Sequence, residues 1–341
     1  MNSAQRVMRE IVVIGGSAGA LKPLKAILEQ IPGDFPAAIF VTIHIPADFP
    51  SLLPRVLNSG PLTVKHPEDQ EQIRPGTVYI APPDFHLLME KGRVHLSRGA
   101  RENRHRPAID PMFRAAARFY GPRVIGIILS GHLDDGSSGL MAVKMRGGLT
   151  AVQKPDEALS PQMPQNAINY AHPEQILPAA QIASWLIDRI AEPVEVGPQV
   201  LEERMAKELE DESREADLQD QGKTEKHGTP SPFACPECHG VLWEIEDGPL
   251  LRFRCRVGHA YTADALRVSL SEYTEEALWA SMRVMEEKAA LLRRMAPRSS
   301  TNLGGKYLEE AQEYDKHVKI IRKILIENQD IEEQKSNDNV A

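Results

Sequence analysis

The stretch Ile11-Val12-Val13-Ile14-Gly15-Gly16-Ser17-Ala18-Gly19-Ala20, with the segment Leu21 to Ile31 after it, decides the fold. Four β-favouring apolar residues run into a glycine-rich turn carrying one serine, and the turn opens a helical pattern. Strand, tight turn and helix form the repeating unit of an α/β sheet. Gly15, Ser17 and Gly19 match the G-x-S-x-G spacing that presents a serine hydroxyl on a strand-to-helix elbow. Backbone N–H groups at the helix start, around Ala18 and Gly19, suit an oxyanion. Turns of this kind also hold phosphates or merely connect two elements, so the motif alone names no chemistry.

Outward from this unit, the first 190 residues alternate apolar runs with helical patterns. Strands are expected at Ile11–Ile14, Ala38–His44, Thr77–Ala81, Val94–Ser97, Val124–Leu129 and Leu149–Gln153. Helices are expected at Leu21–Ile31, Phe49–Ser59, Asp110–Tyr120, Gly139–Arg146, Gln162–Tyr170 and Gln181–Ile190. The alternation predicts an α/β fold with a doubly wound, mainly parallel sheet and helices on both faces. Sites in such sheets form at the carboxyl ends of strands. That rule selects Ser17, His44 and the pair Asp134 and Asp135. A serine nucleophile needs a base within hydrogen-bond reach, and the base needs an orienting carboxylate. Spacing leaves Asp134 and Asp135 both open for the last role. Each residue also has a structural reading, since Asp-Asp-Gly is commonly a turn or a helix cap.

Composition sets the bounds. A chain of 341 residues holds two or three domains, and a net charge of −8 argues against nucleic acid as a partner. No apolar run reaches about 18 residues, and Met1 to Glu10 is polar, so no membrane insertion is expected. The three cysteines fall in one short window, which points to metal or free thiols rather than disulfides and to a cytoplasmic location.

Past Pro193 the character changes. Residues 201–221 hold nine acidic and three basic residues, the pattern of a charged helix, and residues 222–232 read as a flexible linker. Next comes Cys235-x2-Cys238, then Cys255-x3-His259, a spacing suited to one structural, zinc-knuckle-like tetrahedral site with no catalytic role. Leu266 to Met295 and Tyr307 to Asn328 are helical patterns separated by Pro297 to Gly305 and predict a hairpin. The expected divisions are 1–192, 193–232, 233–262, 263–331 and a disordered tail at 332–341.

The segment from Ile11 to about Ile190 resembles the catalytic domain of the chemotaxis protein-glutamate methylesterases, the CheB family. The matching stretches are Ile14 to Gly19, Val41-Thr42-Ile43-His44-Ile45-Pro46, Val78 to Leu87, Arg106-Pro107-Ala108-Ile109-Asp110, Leu129 to Gly136, and Met163-Pro164. The resemblance implies a Ser-His-Asp esterase that hydrolyses glutamyl methyl esters and deamidates glutamines on chemoreceptor-like proteins, with no catalytic cofactor. It makes Ser17 the nucleophile, His44 the base and Asp135 the orienting carboxylate. Ala18, Gly19 and His132 then surround the oxyanion and substrate. Two departures stand out: Ser17-Ala18-Gly19-Ala20 where the family often has Ser-Thr-Gly-Gly, and Gly131-His132-Leu133 where many members have Gly-Met-Gly. The basic run Arg101, Arg104, His105 and Arg106 reads either as a solvated loop or as a dock for an acidic receptor helix. A methyltransferase or histidine kinase of the same pathway is a further expected partner. Full-length relatives carry a phosphoacceptor domain ahead of the catalytic one. With the first strand at Ile11, the expectation is that regulation is not phosphorylation in cis. A chain cut near Ala191 is expected to keep its activity on a small ester. The rival reading is a catalytically weak scaffold of a chemosensory pathway.

Overall fold

The computed structural model describes residues 5–90, 92–196, 228–247 and 250–338. Two compact units divide the chain, residues 1–266 and 267–341.

The first unit is built on a seven-stranded sheet. In chain order its strands are β2 (Ile11–Gly16), β3 (Ala38–Ile43), β4 (Thr63–Lys65), β5 (Thr77–Ile80), β8 (Val124–Ile128), β9 (Leu149–Gln153) and β10 (Gln175–Leu177). In space the order is β10-β9-β8-β2-β3-β5-β4, and every pairing is parallel. From β2 the chain winds outward through β3, then returns to lay β8 on the other side of β2. That reversal is the topological switch point where ligands bind in open α/β sheets, and the serine turn follows β2 directly.

Alternation along β2 divides two cores. Ile11 and Val13 face a cluster with Phe40, Tyr79, Phe113 and Leu140, while Val12 and Ile14 face one with Leu24, Ile27, Ile182 and Leu186. The first cluster lies under α3 (Ile109–Tyr120), α4 (Ser137–Met145) and α5 (Gln162–Ala171). The second lies under α1 (Leu21–Gln30) and α6 (Ala179–Ile190). Each fully buried Val or Ile contributes roughly 1.5–3 kcal/mol, which is why an unbroken apolar run is a central strand here.

Several expected elements take another form. The helix over 49–59 shrinks to α2 (Leu53–Leu57), because Pro50 and Pro54 disfavour helical backbone before them and the Ser51 hydroxyl accepts the Leu53 N–H. Val94–Ser97 lies in β7 (Arg93–Ser97), outside the parallel sheet. It pairs antiparallel with β6 (His86–Glu90) as a hairpin. Strand β1 (Gln5–Met8) pairs antiparallel with β11 (Pro193–Val196), so the region after Pro193 opens with a strand. The charged helix expected over 201–221 lies outside the described residues. The expected linker ends at β12 (Thr229–Ala234), whose Pro230 and Pro232 are tolerated because it is an edge strand.

Strand β12 begins a four-stranded antiparallel sheet with β13 (Val241–Asp247), β14 (Leu250–Cys255) and β15 (Ala260–Thr262). Leu250 is buried in the same core cluster as Phe113 and Leu140, so this small sheet packs on the helical layer of the large one.

In the second unit, α7 (Ala263–Met295) and α8 (Thr301–Asp338) form the expected hairpin. Ala289, Leu292 and Ala311 pack together, flanked by Arg293–Asp315 and Arg322–Glu286 ion pairs. The break is shorter than Pro297 to Gly305. Gly304 is helical and lies where a Cβ would stand 2.7 Å from the Ala296 carbonyl oxygen, so the chain can turn back at once. The expected disordered tail is helical to Asp338, in keeping with the helix propensity of its Glu, Gln and Lys residues.

Candidate active site

Ser17, His44 and Asp135 follow β2, β3 and β8, three neighbouring strands, at their carboxyl ends. The serine turn is held from beneath: Ser17 N–H donates to the Ser130 carbonyl at 2.9 Å, and Ser130 Oγ donates to the Ala18 carbonyl at 2.7 Å. Two glycines are obligatory. A Cβ on Gly15 would lie 2.3 Å from Ile109 Cγ2, blocking the approach of α3 to the end of β2. Gly19 has φ +81°, and a Cβ there would lie 2.6 Å from both Leu159 Cβ and Ser130 Oγ.

His44 Nε2 is 2.7 Å from Asp135 Oδ2, both side chains being almost fully buried. A carboxylate only accepts, so Nε2 carries the proton and the Nδ1 lone pair is directed away from Asp135. Ser17 and His44 line the same cavity, of about 430 Å³. Asp134 does not join them. Its Oδ1 accepts the Thr262 hydroxyl at 2.7 Å.

Asp135 is saturated. Oδ2 also accepts the Ile109 N–H at 2.7 Å, while Oδ1 accepts the Asp110 N–H at 3.2 Å and Asn103 Nδ2 at 3.0 Å. Ile109 and Asp110 open α3, so Asp135 caps that helix from outside. The favour is returned: Asp110 Oδ1 accepts the Gly136 and Gly139 N–H groups, where α4 begins. Burial would raise the Asp135 carboxyl, but hydrogen bonds from His44, Ile109 and Asn103 and the nearby imidazole hold it below the ordinary carboxylate range. Asp110 moves oppositely, well up, through burial and the Asp135 charge. Two adjacent buried carboxyls are thus pushed in opposite directions. Burial raises Asp134 to about 6.

The basic run separates into different roles. The His105 ring stacks on His44 with centroids 3.6 Å apart and planes 13° off parallel. Burial and His44 lower His105 to about 3, so it is a neutral platform and not part of a cationic patch. Arg106 is committed to Asp84, with Nη2 to Oδ1 at 2.5 Å. Arg101 and Arg104 line the cavity. His132 Nε2 meets Ser160 Oγ at 3.3 Å, and Gly131 N–H donates to the Ser160 carbonyl.

Sequence reasoning missed Asn103, Ile109 and the ring of His105. Asn103 has φ 48°, a left-handed conformation that asparagine tolerates better than most residues, and such a turn was the available signal.

A second cluster sits in the four-stranded sheet. The ligand atoms of Cys235, Cys238, Cys255 and His259 all lie within 4.8 Å of one another. Cys238 and Cys255 sulfurs are 3.5 Å apart, and His259 Nδ1 is 3.5 Å from Cys255 Sγ and 3.7 Å from Cys235 Sγ. Bonds of about 2.3 Å to a tetrahedral ion place sulfurs about 3.8 Å apart, so the set fits a metal. The other His259 nitrogen, Nε2, is 3.3 Å from Glu237 Oε2, the orienting partner that metal-bound imidazoles usually have.

Residues 12–186 match the family described as CheB methylesterase. A protein of Leptospira interrogans assigned as a protein-glutamate methylesterase/protein-glutamine glutaminase is 38% identical over 183 residues, 52% of this chain and 93% of that protein. The enzyme of that name from Thermotoga maritima is 38% identical over 189 residues, 54% of this chain and 55% of its own length. The crystal structure of the Thermotoga maritima CheB methylesterase catalytic domain superimposes with a TM-score of 0.51 at 38% identity, covering 53% of this chain and 99% of that domain.

Proposed function

The chain belongs to the CheB methylesterase family, and we propose that it hydrolyses glutamyl methyl esters, and deamidates glutamines, on chemoreceptor-like proteins in the cytoplasm. One observation carries this reading: the Asp135 carboxylate, fixed by four donors, holds the His44 ring beside the serine turn. A scaffold without chemistry would not need a buried charge saturated in this way.

In the first step Ser17 Oγ attacks the ester carbonyl carbon and its proton passes to His44 Nδ1. Asp135 stabilises the imidazolium that forms. The N–H groups of Ala18 and Gly19 receive the oxyanion. The C–O bond to the methoxy group breaks, methanol leaves with the proton from His44, and an acyl-Ser17 ester remains. Water then loses a proton to His44 and attacks the acyl carbon, releasing the glutamate and restoring Ser17. With glutamine the leaving group is ammonia. We assign His132 to the rim, where Ser160 orients its ring, and Arg101 and Arg104 to the carboxylates of an acidic receptor helix. A methyltransferase or histidine kinase of the pathway is the further partner we expect. We assign zinc to Cys235, Cys238, Cys255 and His259 as a structural ion, since four protein ligands close its coordination sphere.

A serine-directed fluorophosphonate tests the nucleophile. The adduct is expected on the peptide carrying Ser17, and its formation should be abolished in His44→Gln. An adduct mapped to another serine would displace Ser17 from this role.

A further inference from the structure

The small Cys/His sheet reaches the triad. Strand β15 starts at Ala260, the residue after His259, and lies beside the turn over 101–105. Ala260 N–H donates to the Arg101 carbonyl at 3.2 Å, and Asn103 N–H donates to the Ala260 carbonyl at 2.8 Å. Thr262 N–H donates to Asn103 Oδ1 at 3.0 Å. A backbone N–H can only donate, so the amide oxygen of Asn103 must face β15. Its NH2 group must then face the carboxyls, where it donates to Asp135 Oδ1 at 3.0 Å and to Asp110 Oδ2 at 3.1 Å. The carboxyl oxygens set which way round the amide lies, and Thr262 N–H anchors its oxygen to β15, so the side chain is held from both sides.

Two further contacts clamp the same junction. Glu102, buried, takes Arg114 of α3 on both oxygens, at 2.8 and 2.7 Å, and has Arg252 of β14 at 3.7 Å. Thr262 Oγ donates to Asp134, the residue before the triad acid. The metal ligands in turn hold β15: Cys255 N–H donates to the His259 carbonyl at 3.0 Å, and the Tyr261 hydroxyl lies 3.7 Å from Cys235 Sγ. A sheet of four short strands has little core of its own, and a metal is the usual staple for such a module.

We propose that the Cys235, Cys238, Cys255 and His259 centre, when metal-loaded, fixes β15 so that Thr262 locks Asn103 against Asp135, making Asn103 a positioning residue and the metal a condition of full activity. This rests on the reading of Asp135 as the triad acid. It departs from the expectation of a purely structural module separable from catalysis.

The test uses full-length protein loaded with Zn2+. It reads kcat and KM on a small ester, and the downfield proton resonance of His44 Nε2–H, assigned by its absence in His44→Gln. Chelation under reducing conditions should lower kcat about tenfold or more, as small misplacements of catalytic groups do, with KM within about twofold. It should also broaden or shift the resonance, and added Zn2+ should restore both. Metal-loaded Asn103→Ala should reproduce the loss of kcat and the altered resonance while keeping its zinc, which separates positioning from collapse of the module. A chain that binds no Zn2+, or a chelated chain and an Asn103→Ala variant with unchanged resonance and kcat, would overturn the proposal. If the metal-loaded chain hydrolyses no ester, the esterase reading fails instead. The resonance then decides alone: its alteration on chelation supports the coupling, and its persistence sinks it.

Discussion

Among the described residues Asp135 accepts hydrogen bonds from His44, Asn103, Ile109 and Asp110, whereas Asp134 accepts the Thr262 hydroxyl. Asp135→Asn places an NH2 group among donors and disfavours the imidazole tautomer the serine needs, so kcat should fall on the order of 10⁴-fold. Asp134→Asn keeps an acceptor for Thr262 and should stay within about tenfold of the parent. Steady-state rates on one ester compare the two, and greater loss at Asp134 would reverse the assignment. The same pair separates by pH. Asp134 is raised to about 6 by burial, so the folded state holds a proton that the unfolded chain, with an ordinary value near 4, has released. Stability from this group is therefore present below pH 4 and is lost as pH rises through 6. Urea unfolding should show Asp134→Asn gaining on the parent by on the order of 1 kcal/mol between pH 5 and pH 8. An equal difference at the two pH values would contradict the raised carboxyl.

Helices α3 and α4 cap each other, Asp135 at the start of one and Asp110 at the start of the other. The carboxylate proposed as the triad acid is thus fixed by secondary structure rather than by a flexible loop. The sequence exposed half of this. Asp135 stood at a strand end with a following glycine, but its second partner, the opening of α3, lies 26 residues away, and the stretch Arg106 to Asp110 marks a family resemblance without saying which N–H groups meet Asp135. Asn103 gave only the faint signal of a turn-prone asparagine, because its oxygen meets a backbone N–H 159 residues further along the chain, at Thr262. The Cys/His element was legible from spacing alone, since four ligands in one window leave few other readings. Elemental analysis of unchelated protein should find about one zinc per chain, and Cys255→Ser should lose it. Protein carefully prepared without chelators and free of metal would refute the assignment.

At the scale of the molecule, the sheet and its two cores follow from apolar runs that alternate with helical patterns, and these were readable. What was not readable is that β14 and β15 touch the first 190 residues. Leu250 joins a core cluster, and Thr262 N–H donates to Asn103, which in turn donates to Asp135. Composition marks the region after Pro193 as different in character, and difference in character does not reveal these contacts. A chain ending at residue 196 keeps the parallel sheet and should fold, yet its kcat on a small ester should fall about tenfold relative to the full chain. Equal kcat in the two chains would restore the simpler division of labour. The proposed activity turns on chemistry at Ser17. The direct measurement is methanol released from a methylated receptor by the full chain and by Ser17→Ala. The expected result is steady release by the parent and a loss on the order of 10⁶-fold in the variant with an unchanged circular dichroism spectrum. Release by Ser17→Ala within about tenfold of the parent would contradict the account.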